Sequence, residues 1–139
     1  MREDLGPVLG TATLTVESGK ASELARALRA PADVVVPTFT VVAAHSTPPG
    51  RSPNELVIDA AGFDQRRVLL GEMRWSYRRP LEVGDELVGS VHHLGSETKH
   101  GPQGVLHLAR GAVVWRDDKE VEVVIVHVTL IEAPPGAGS

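Results

Sequence analysis

The chain has 139 residues, a length typical of one folded domain, and 42% of them are hydrophobic, so a packed core is expected rather than disorder. Its net charge of -4 argues against nucleic-acid binding, which needs clustered lysines and arginines. The absence of cysteine excludes disulfides, thiolate catalysis and cysteine-based zinc sites. No secretory signal is visible in Met1–Gly10, and no apolar run reaches the roughly 20 residues that span a bilayer, so we expect a cytoplasmic protein without membrane contact.

The first part of the chain predicts one strand followed by helical material. Thr11–Glu17 alternates and is rich in β-branched residues, which is typical of a strand. Helical spacing of apolar residues in Gly19–Ala30 predicts a helix that begins after Ser18 as N-cap and stops before Pro31. Val34–Ala44 is apolar and uncharged, and periodicity does not distinguish a buried strand from a short buried helix there.

The second part predicts four long strands. Ser46–Asn54 holds three prolines and a glycine and indicates a loop, whereas Glu55–Asp64 shows no clear pattern. Alternation then predicts strands at Arg66–Arg79, Glu86–Leu94, Val105–Arg116 and Val121–Ile131. Gly95–Gly104 is expected to form a long hairpin loop, and Asp117–Glu120 a tight one.

This order of elements makes an α+β domain. A long sheet needs a cover for its apolar face, and Val34–Ala44 is the natural candidate for that cover. The expected arrangement is a curved antiparallel sheet wrapped around a central helix. We expect a single domain over residues 1–132, followed by a flexible tail at 133–139 that contains only Pro, Gly, Ala and Ser.

The stretch Arg67–Leu87 reads RVLLGEMRWSYRRPLEVGDEL: a long alternating strand stops at Pro80, and a second begins after Gly84-Asp85. This strand–turn–strand closely resembles MaoC-like hot-dog domains, the fold of (3R)-hydroxyacyl-thioester dehydratases and hydratases. The resemblance covers Thr15 to Glu132 and is greatest to the non-catalytic N-terminal type, in which a helix leads to a Pro-Thr-Phe segment, matched by Pro37-Thr38-Phe39. It implies a hot-dog fold and an acyl thioester of coenzyme A or acyl carrier protein as ligand, in fatty acid or polyketide metabolism.

A His-Gly-Glu element follows in that type, and Leu70-Gly71-Glu72 matches it here, with the histidine replaced by leucine. The resemblance implies substrate contacts for Phe39, Gly71, Trp75 and Tyr77. Aromatic residues such as Trp75 and Tyr77 in a strand are more often core or interface residues than ligand contacts. The linker before the Pro-Thr-Phe element is shortened, which implies a smaller or differently shaped pocket.

Catalytic MaoC domains carry Gly-Asp-x-Asn-Pro-x-His beside the central helix, so that the Asp and His converge on one substrate. That motif is absent: the only asparagine, Asn54, is followed by Glu55, and no Asp has a His five residues later. One hypothesis is a dehydratase-family subunit that binds the acyl chain while a partner supplies the dyad. The alternative is a self-sufficient thioesterase or specialised biosynthetic dehydratase with relocated acid–base residues. A pure ligand-binding or scaffold protein is a third possibility.

Three residues are candidates for relocated catalysis. On alternation Glu72 shares a face with Leu70 and Arg74, so it is either partly buried with a raised pKa or paired with Arg74. His45 follows the apolar segment before the proline-rich loop and is either a general base or a surface histidine. Asp64 lies in a loop, as either a catalytic carboxylate or a turn-stabilising residue.

His107 and His127 fall in adjacent predicted strands and can face one another, but two histidines without a carboxylate are a weak metal signal. We therefore expect no metal site and no cofactor. Because an isolated hot-dog sheet leaves an edge and part of its acyl site uncovered, we expect either a homodimer or a heterodimer with a catalytic hot-dog subunit.

Overall fold

In a computed structural model, the chain forms a five-stranded antiparallel sheet packed against helices; residues 5–29, 52–102 and 104–134 are described. The elements in these ranges are β1 (Gly10–Thr15), α1 (Ser18–Ala27), α2 (Pro53–Ala61), a 3₁₀ turn (Gln65–Arg67), β2 (Val68–Tyr77), β3 (Glu86–Gly101), β4 (Gly104–Arg116) and β5 (Glu122–Glu132). The α+β prediction is confirmed. No helix in the described ranges is long and apolar enough to cross a membrane.

The strands lie in the order β1-β3-β4-β5-β2, and every neighbouring pair is antiparallel. The three pairs formed by β2 to β5 are β3 with β4, β4 with β5, and β5 with β2, so the four strands predicted in the second part of the chain are confirmed. Within residues 5–29, 52–102 and 104–134, β1 and β2 are the outermost strands of this sheet. One face of the sheet packs against α2, and we call it the inner face; the opposite face is the outer face.

Local capping signals explain where α2 begins and ends. The Ser52 hydroxyl donates to Glu55 Oε1 at 2.7 Å and accepts from the Glu55 backbone N–H at 3.4 Å, so Ser52 is the N-cap of the helix. Pro53 occupies the first turn, where its missing N–H costs nothing. Gly62 ends the helix in the left-handed conformation, at φ 73°. The predicted loop Ser46–Asn54 is therefore wrong at its last two residues, which are helical.

The cover of the inner face is α2, through the buried side chains of Val57 and Ile58. Val57 packs so closely on β4 that a Cβ added at Gly111 would lie 2.6 Å from Val57 Cγ2. The covering helix thus comes from the segment that had no clear pattern. The other candidate for this cover, Val34–Ala44, lies outside the described residues.

The helix α1 differs from its prediction at both ends. Its N-cap is Glu17, whose side chain makes no capping hydrogen bond, and Ser18 is already helical. The helix ends at Ala27, and Arg29 has a positive φ of 58°, which stops the helical path before the expected end at Ala30. The predicted N-cap at Ser18 is therefore wrong by one residue.

The predicted long loop Gly95–Gly104 is also wrong. β3 continues to Gly101 and β4 begins at Gly104, so the two strands form a ribbon in which Thr98 pairs with His107. From Gly95 to Gly101 the ribbon is mostly exposed, so polar residues occupy both of its faces and hydrophobic alternation is lost. The tight turn after β4 is confirmed by the bond from Asp117 N–H to the Val121 carbonyl, at 3.0 Å.

An ion pair fixes the turn between β2 and β3. The Arg79 guanidinium donates to both carboxylate oxygens of Asp85, at 2.8 and 3.0 Å, and the backbone N–H of Glu82 donates to Asp85 Oδ2 at 2.8 Å. The hydrogen bonds from Arg79, and secondarily the one from Glu82, hold the pKa of Asp85 below its ordinary value.

We expect Asp85→Asn to lower the free energy of unfolding by about 1 kcal/mol near neutral pH, because charge-assisted hydrogen bonds are lost. A depressed carboxyl pKa stabilises the fold above the unfolded-state pKa, and this stabilisation is lost as pH falls below about 4 through the lower folded-state pKa. The variant should lack that part of the acid dependence. Urea unfolding of both proteins at neutral and acidic pH measures it. Asp118→Asn, in the exposed turn after β4, is the matched control, and an acid dependence unchanged by Asp85→Asn would contradict the assignment.

Candidate functional site

A shift in strand pairing at Gly71 decides which face each neighbouring side chain takes. Leu70 lies opposite Leu130, whereas Glu72 lies opposite Thr129, so β2 contains one extra residue between them. Since Leu130 and Thr129 are consecutive in β5, they point to opposite faces of the sheet. The prediction that Glu72 shares a face with Leu70 is therefore wrong, because simple alternation does not continue through a bulge.

Glycine is required at this bulge by space. A Cβ at Gly71 would lie 2.8 Å from Ile131 Cδ1 and 3.2 Å from the Thr129 carbonyl oxygen. The Gly-Glu element therefore has a structural role, because the bulge at Gly71 directs the Glu72 side chain to the outer face. A substrate contact at Gly71 stays a prediction.

Trp75 and Tyr77 lie on the inner face, opposite the buried Val126 and Val124 of β5. Both are half-buried and pack against the hydrophobic core. Burial raises the pKa of the Tyr77 hydroxyl to about 12, so it stays protonated at neutral pH. This position fits the core alternative for both aromatics, and their contact with an acyl chain stays a prediction.

Glu72 lies at the edge of a concavity of about 140 Å³ on the outer face. The side chains that line this outer concavity include Glu72, Arg74, Leu94, Arg110, His127 and Thr129. The expected burial of Glu72 is wrong: the residue is exposed, and within the described residues it forms no ion pair with Arg74.

Asp64 is hydrogen-bonded within the turn that leads from α2 to β2. Its carboxylate accepts from the backbone N–H of Arg66 at 3.0 Å and from the Arg66 guanidinium at 3.2 Å, and it caps the 3₁₀ turn. The side-chain hydrogen bond from Arg66 is the main reason that the pKa of Asp64 is lowered. A general base works best with a pKa near the working pH. This geometry supports the turn-stabilising alternative.

The two histidines of adjacent strands do not face one another, so the predicted pair is wrong. His107 lies opposite Glu132, whereas His127 lies opposite Ala112. His107 and Ala112 are five residues apart on β4, and an odd spacing places side chains on opposite faces. No group of three or more potential metal ligands occurs in the described part of the chain.

Sequence reasoning missed a polar cluster around Glu132 on the inner face. Glu132 is only 8% exposed; its carboxylate accepts from the backbone N–H of Asp64 and lies 3.7 Å from Arg67 Nη2. On the neighbouring strand, His107 Nδ1 lies 3.2 Å from Thr98 Oγ1, in a hydrogen bond across the ribbon. Only the strand register reveals this cluster, because its members are distant in sequence. The remaining predicted site residues, His45 and Phe39, lie outside the described ranges.

A family model described as "FAS1-like, dehydratase domain region" matches residues 18–126, well over half of the chain. No curated protein sequence is significantly similar to the chain.

Solved structures with the same architecture include two complexes from Mycobacterium tuberculosis. A chain of the C-terminally truncated HadBC (3R-hydroxyacyl-ACP dehydratase) complex is 14% identical, with a TM-score of 0.65, and the match covers 94% of this chain and 99% of that one. A chain of the ChsH1-ChsH2 complex is 17% identical, with a TM-score of 0.67 and coverage of 94% and 88%.

A third similar structure is the R-hydratase PhaJ1 from Pseudomonas aeruginosa, at 16% identity, a TM-score of 0.51 and coverage of 95% and 83%. At these identities the likeness concerns the fold alone. The predicted hot-dog fold, a curved antiparallel sheet wrapped around a helix, is confirmed.

Proposed function

The chain belongs to the FAS1-like dehydratase-region family, a group of MaoC-like hot-dog domains, and on that premise we propose that it is a subunit that binds an acyl thioester without a catalytic dyad of its own. The thioester would be carried by coenzyme A or by an acyl carrier protein. In this proposal a second hot-dog subunit supplies the Asp and His that perform hydration or dehydration.

The observation that carries this proposal is the absence of Gly-Asp-x-Asn-Pro-x-His from the whole sequence. In catalytic MaoC-like domains this motif lies beside the central helix. Here the N-terminus of the central helix α2 presents Ser52 and Glu55, which are hydrogen-bonded to each other in a cap. No histidine occurs between residues 46 and 91. The polar groups described at this end of α2 therefore support a structural function.

The edge of the sheet supports the need for a partner. Among the described residues β2 pairs only with β5, and its two exposed leucines, Leu69 and Leu70, are 63% and 56% accessible. An apolar, unpaired edge strand is a surface on which a second subunit can add. The HadBC and ChsH1-ChsH2 structures are complexes of two different subunits, which favours a heterodimer over a homodimer.

Hydration of crotonyl-CoA tests this proposal. The isolated chain should be inactive, and activity should appear when a hot-dog protein that carries Gly-Asp-x-Asn-Pro-x-His is added. Glu72→Gln in this chain should leave the activity of the complex unchanged. Robust hydration of crotonyl-CoA by the isolated chain would contradict the proposal that this subunit has no catalytic dyad.

The alternative is a self-sufficient thioesterase or specialised biosynthetic dehydratase that uses Glu72, His45 or Asp64. One observation favours it: Glu72 lines the same concavity as His127, so a carboxylate and an imidazole occur together there. The same assay separates the two functions. Activity of the isolated chain that disappears in Glu72→Gln would establish the alternative.

A further inference from the structure

The ribbon formed by the end of β3 and the start of β4 has an exposed edge. β1 pairs with β3 only from Glu86 to Val91, so β3 from Gly95 to Gly101 has a described strand, β4, on one side only. Every residue from Ser96 to Gly101 is exposed. An exposed strand edge is a surface on which another strand can add. The backbone of this segment is therefore accessible to a further strand.

The strand register shows which backbone groups face this edge. Only two residues separate Gly101 from Gly104, and the pair that closes such a hairpin exchanges backbone hydrogen bonds. Hydrogen-bonded and non-hydrogen-bonded pairs alternate along an antiparallel ribbon, so the N–H and C=O groups of Ser96, Thr98 and His100 point away from β4. In the part of the chain that the structure describes, these groups have no backbone partner outside the ribbon. They can therefore form a ladder with a further strand.

The side chains along this edge carry opposite charges on the outer face. Glu97 lies opposite Leu108, and Leu108 shares the outer face with Arg110, two residues along β4. Glu97 and Lys99 therefore both point to the outer face. The hydrogen bond from Arg110 holds the pKa of Glu97 below its ordinary value, so the carboxylate is charged at neutral pH. Lys99 forms no ion pair with any described residue.

This pattern of charges is complementary to itself. If two such edges pair antiparallel about a two-fold axis at Thr98, Glu97 of each copy lies opposite Lys99 of the other copy. These are non-hydrogen-bonded pairs, in which the side chains approach most closely. A two-fold axis at Glu97 or at Lys99 would instead place like charges opposite each other, which is unfavourable. The charges therefore favour one register.

We infer that this edge is a self-association surface, and that its occupant is the same segment of a second copy of the chain. Thr98 would lie at the axis, with backbone hydrogen bonds between Ser96 and His100 and a Glu97–Lys99 ion pair on each side of it. β2, where the proposed catalytic subunit would add, lies beyond β4 and β5. The inference therefore goes beyond the proposed function and does not rest on it.

Sedimentation equilibrium of the full chain over a range of concentrations tests the inference. We expect a reversible equilibrium between monomer and dimer that shifts to the monomer as salt is added, because exposed ion pairs are screened. Lys99→Glu and Glu97→Lys should each weaken self-association about tenfold or more. The reason is symmetry, since each substitution replaces two attractive pairs with two repulsive ones.

A mixture of the two variants is the sharpest measurement. Lys99→Glu leaves two acidic groups on the edge, and Glu97→Lys leaves two basic groups, so each variant is complementary to the other but not to itself. An equimolar mixture should regain the wild-type affinity. Lys119→Glu and Glu120→Lys, in the exposed turn after β4, are the matched controls because they change the net charge equally. Neither control should alter self-association, and their mixture should gain nothing.

A chain that stays monomeric at millimolar concentration, or a mixture that associates no better than its components, would overturn the inference. Dimers that are lost in Leu70→Lys but unchanged in Lys99→Glu would also overturn it, because their interface would be β2. Thermal unfolding shows whether each variant is folded, and the replaced side chains are exposed, so the core should not be disturbed. These measurements use neither a catalytic subunit nor a substrate, so their failure is distinguishable from failure of the proposed function in the hydration assay.

Discussion

Leu70→Lys is expected to weaken the association of this chain with the proposed second subunit by about 100-fold, because the variant places a charge on the strand that the subunit would cover. Leu70 lies on the inner face opposite the buried Leu130, yet it is 56% exposed in the isolated chain. Burying a leucine contributes about 1.5–3 kcal/mol, and each 1.4 kcal/mol is tenfold in affinity. Desolvating a lysine in its place adds a cost. Sedimentation velocity of the mixed subunits measures the effect.

Val121→Lys provides the control for this result. Val121 is 57% exposed, as Leu70 is, but it precedes β5 at the hairpin turn and is not part of the β2 edge. Its replacement should leave association unchanged. If Leu70→Lys associates as tightly as the wild type, or if Val121→Lys weakens association to the same degree, β2 is not the interface.

Gly111→Val is expected to lower the free energy of unfolding by about 3 kcal/mol, a large part of the 5–15 kcal/mol that stabilises a typical domain. The added Cβ would lie 2.6 Å from Val57 Cγ2 and 3.2 Å from the backbone carbonyl oxygen of His92. The helix α2 cannot move away without exposing Val57 and Ile58, which are buried against the sheet. Chemical denaturation followed by tryptophan fluorescence measures the loss, since Trp115 is in the core.

The matched glycine for this experiment is Gly19, in the first turn of α1. A Cβ at Gly19 would meet no atom within 4 Å. Gly19→Ala should therefore leave stability unchanged or raise it by up to about 1 kcal/mol, the difference in helix propensity. A Gly111→Val variant with wild-type stability would show that α2 is not packed on β4 as described.

Much of the sheet could be predicted because its strands alternate. Over most of their length β4 and β5 place apolar residues on the inner face at alternate positions, and their ends were predicted to within one residue. The ribbon at the end of β3 could not be predicted in the same way, because polar residues on two exposed faces leave no periodic signal. A hairpin of this kind is fixed by backbone pairing and by Gly104, at φ 116°.

The covering helix was missed for a different reason. Only Val57 and Ile58 are fully buried in α2, so its apolar stripe is short. The sequence did contain its boundaries: Ser52 and Glu55 have the spacing of a capping box, and Gly62 is a C-terminal stop signal. These capping residues, rather than the hydrophobic pattern, mark the helix in the sequence.

The outer concavity could not be predicted, because it depends on strand register. Alternation predicts that Glu72 shares a face with Leu70, and only the bulge at Gly71 moves it beside Thr129. In the same way, the neighbourhood of Arg110 is set by pairing between β4 and β5. The absence of the catalytic motif, in contrast, is a property of the sequence alone.

The most direct test of the central claim is a titration of crotonyl-CoA hydration. A fixed amount of a hot-dog subunit that carries Gly-Asp-x-Asn-Pro-x-His is mixed with increasing amounts of this chain. We expect no hydration by this chain alone, and a rate that rises until the two subunits are equimolar and then stays constant. Replacing the histidine of the partner's motif should abolish the rate, whereas Glu72→Gln here should not. A hydration rate that is proportional to the concentration of this chain in the absence of any partner would contradict the claim.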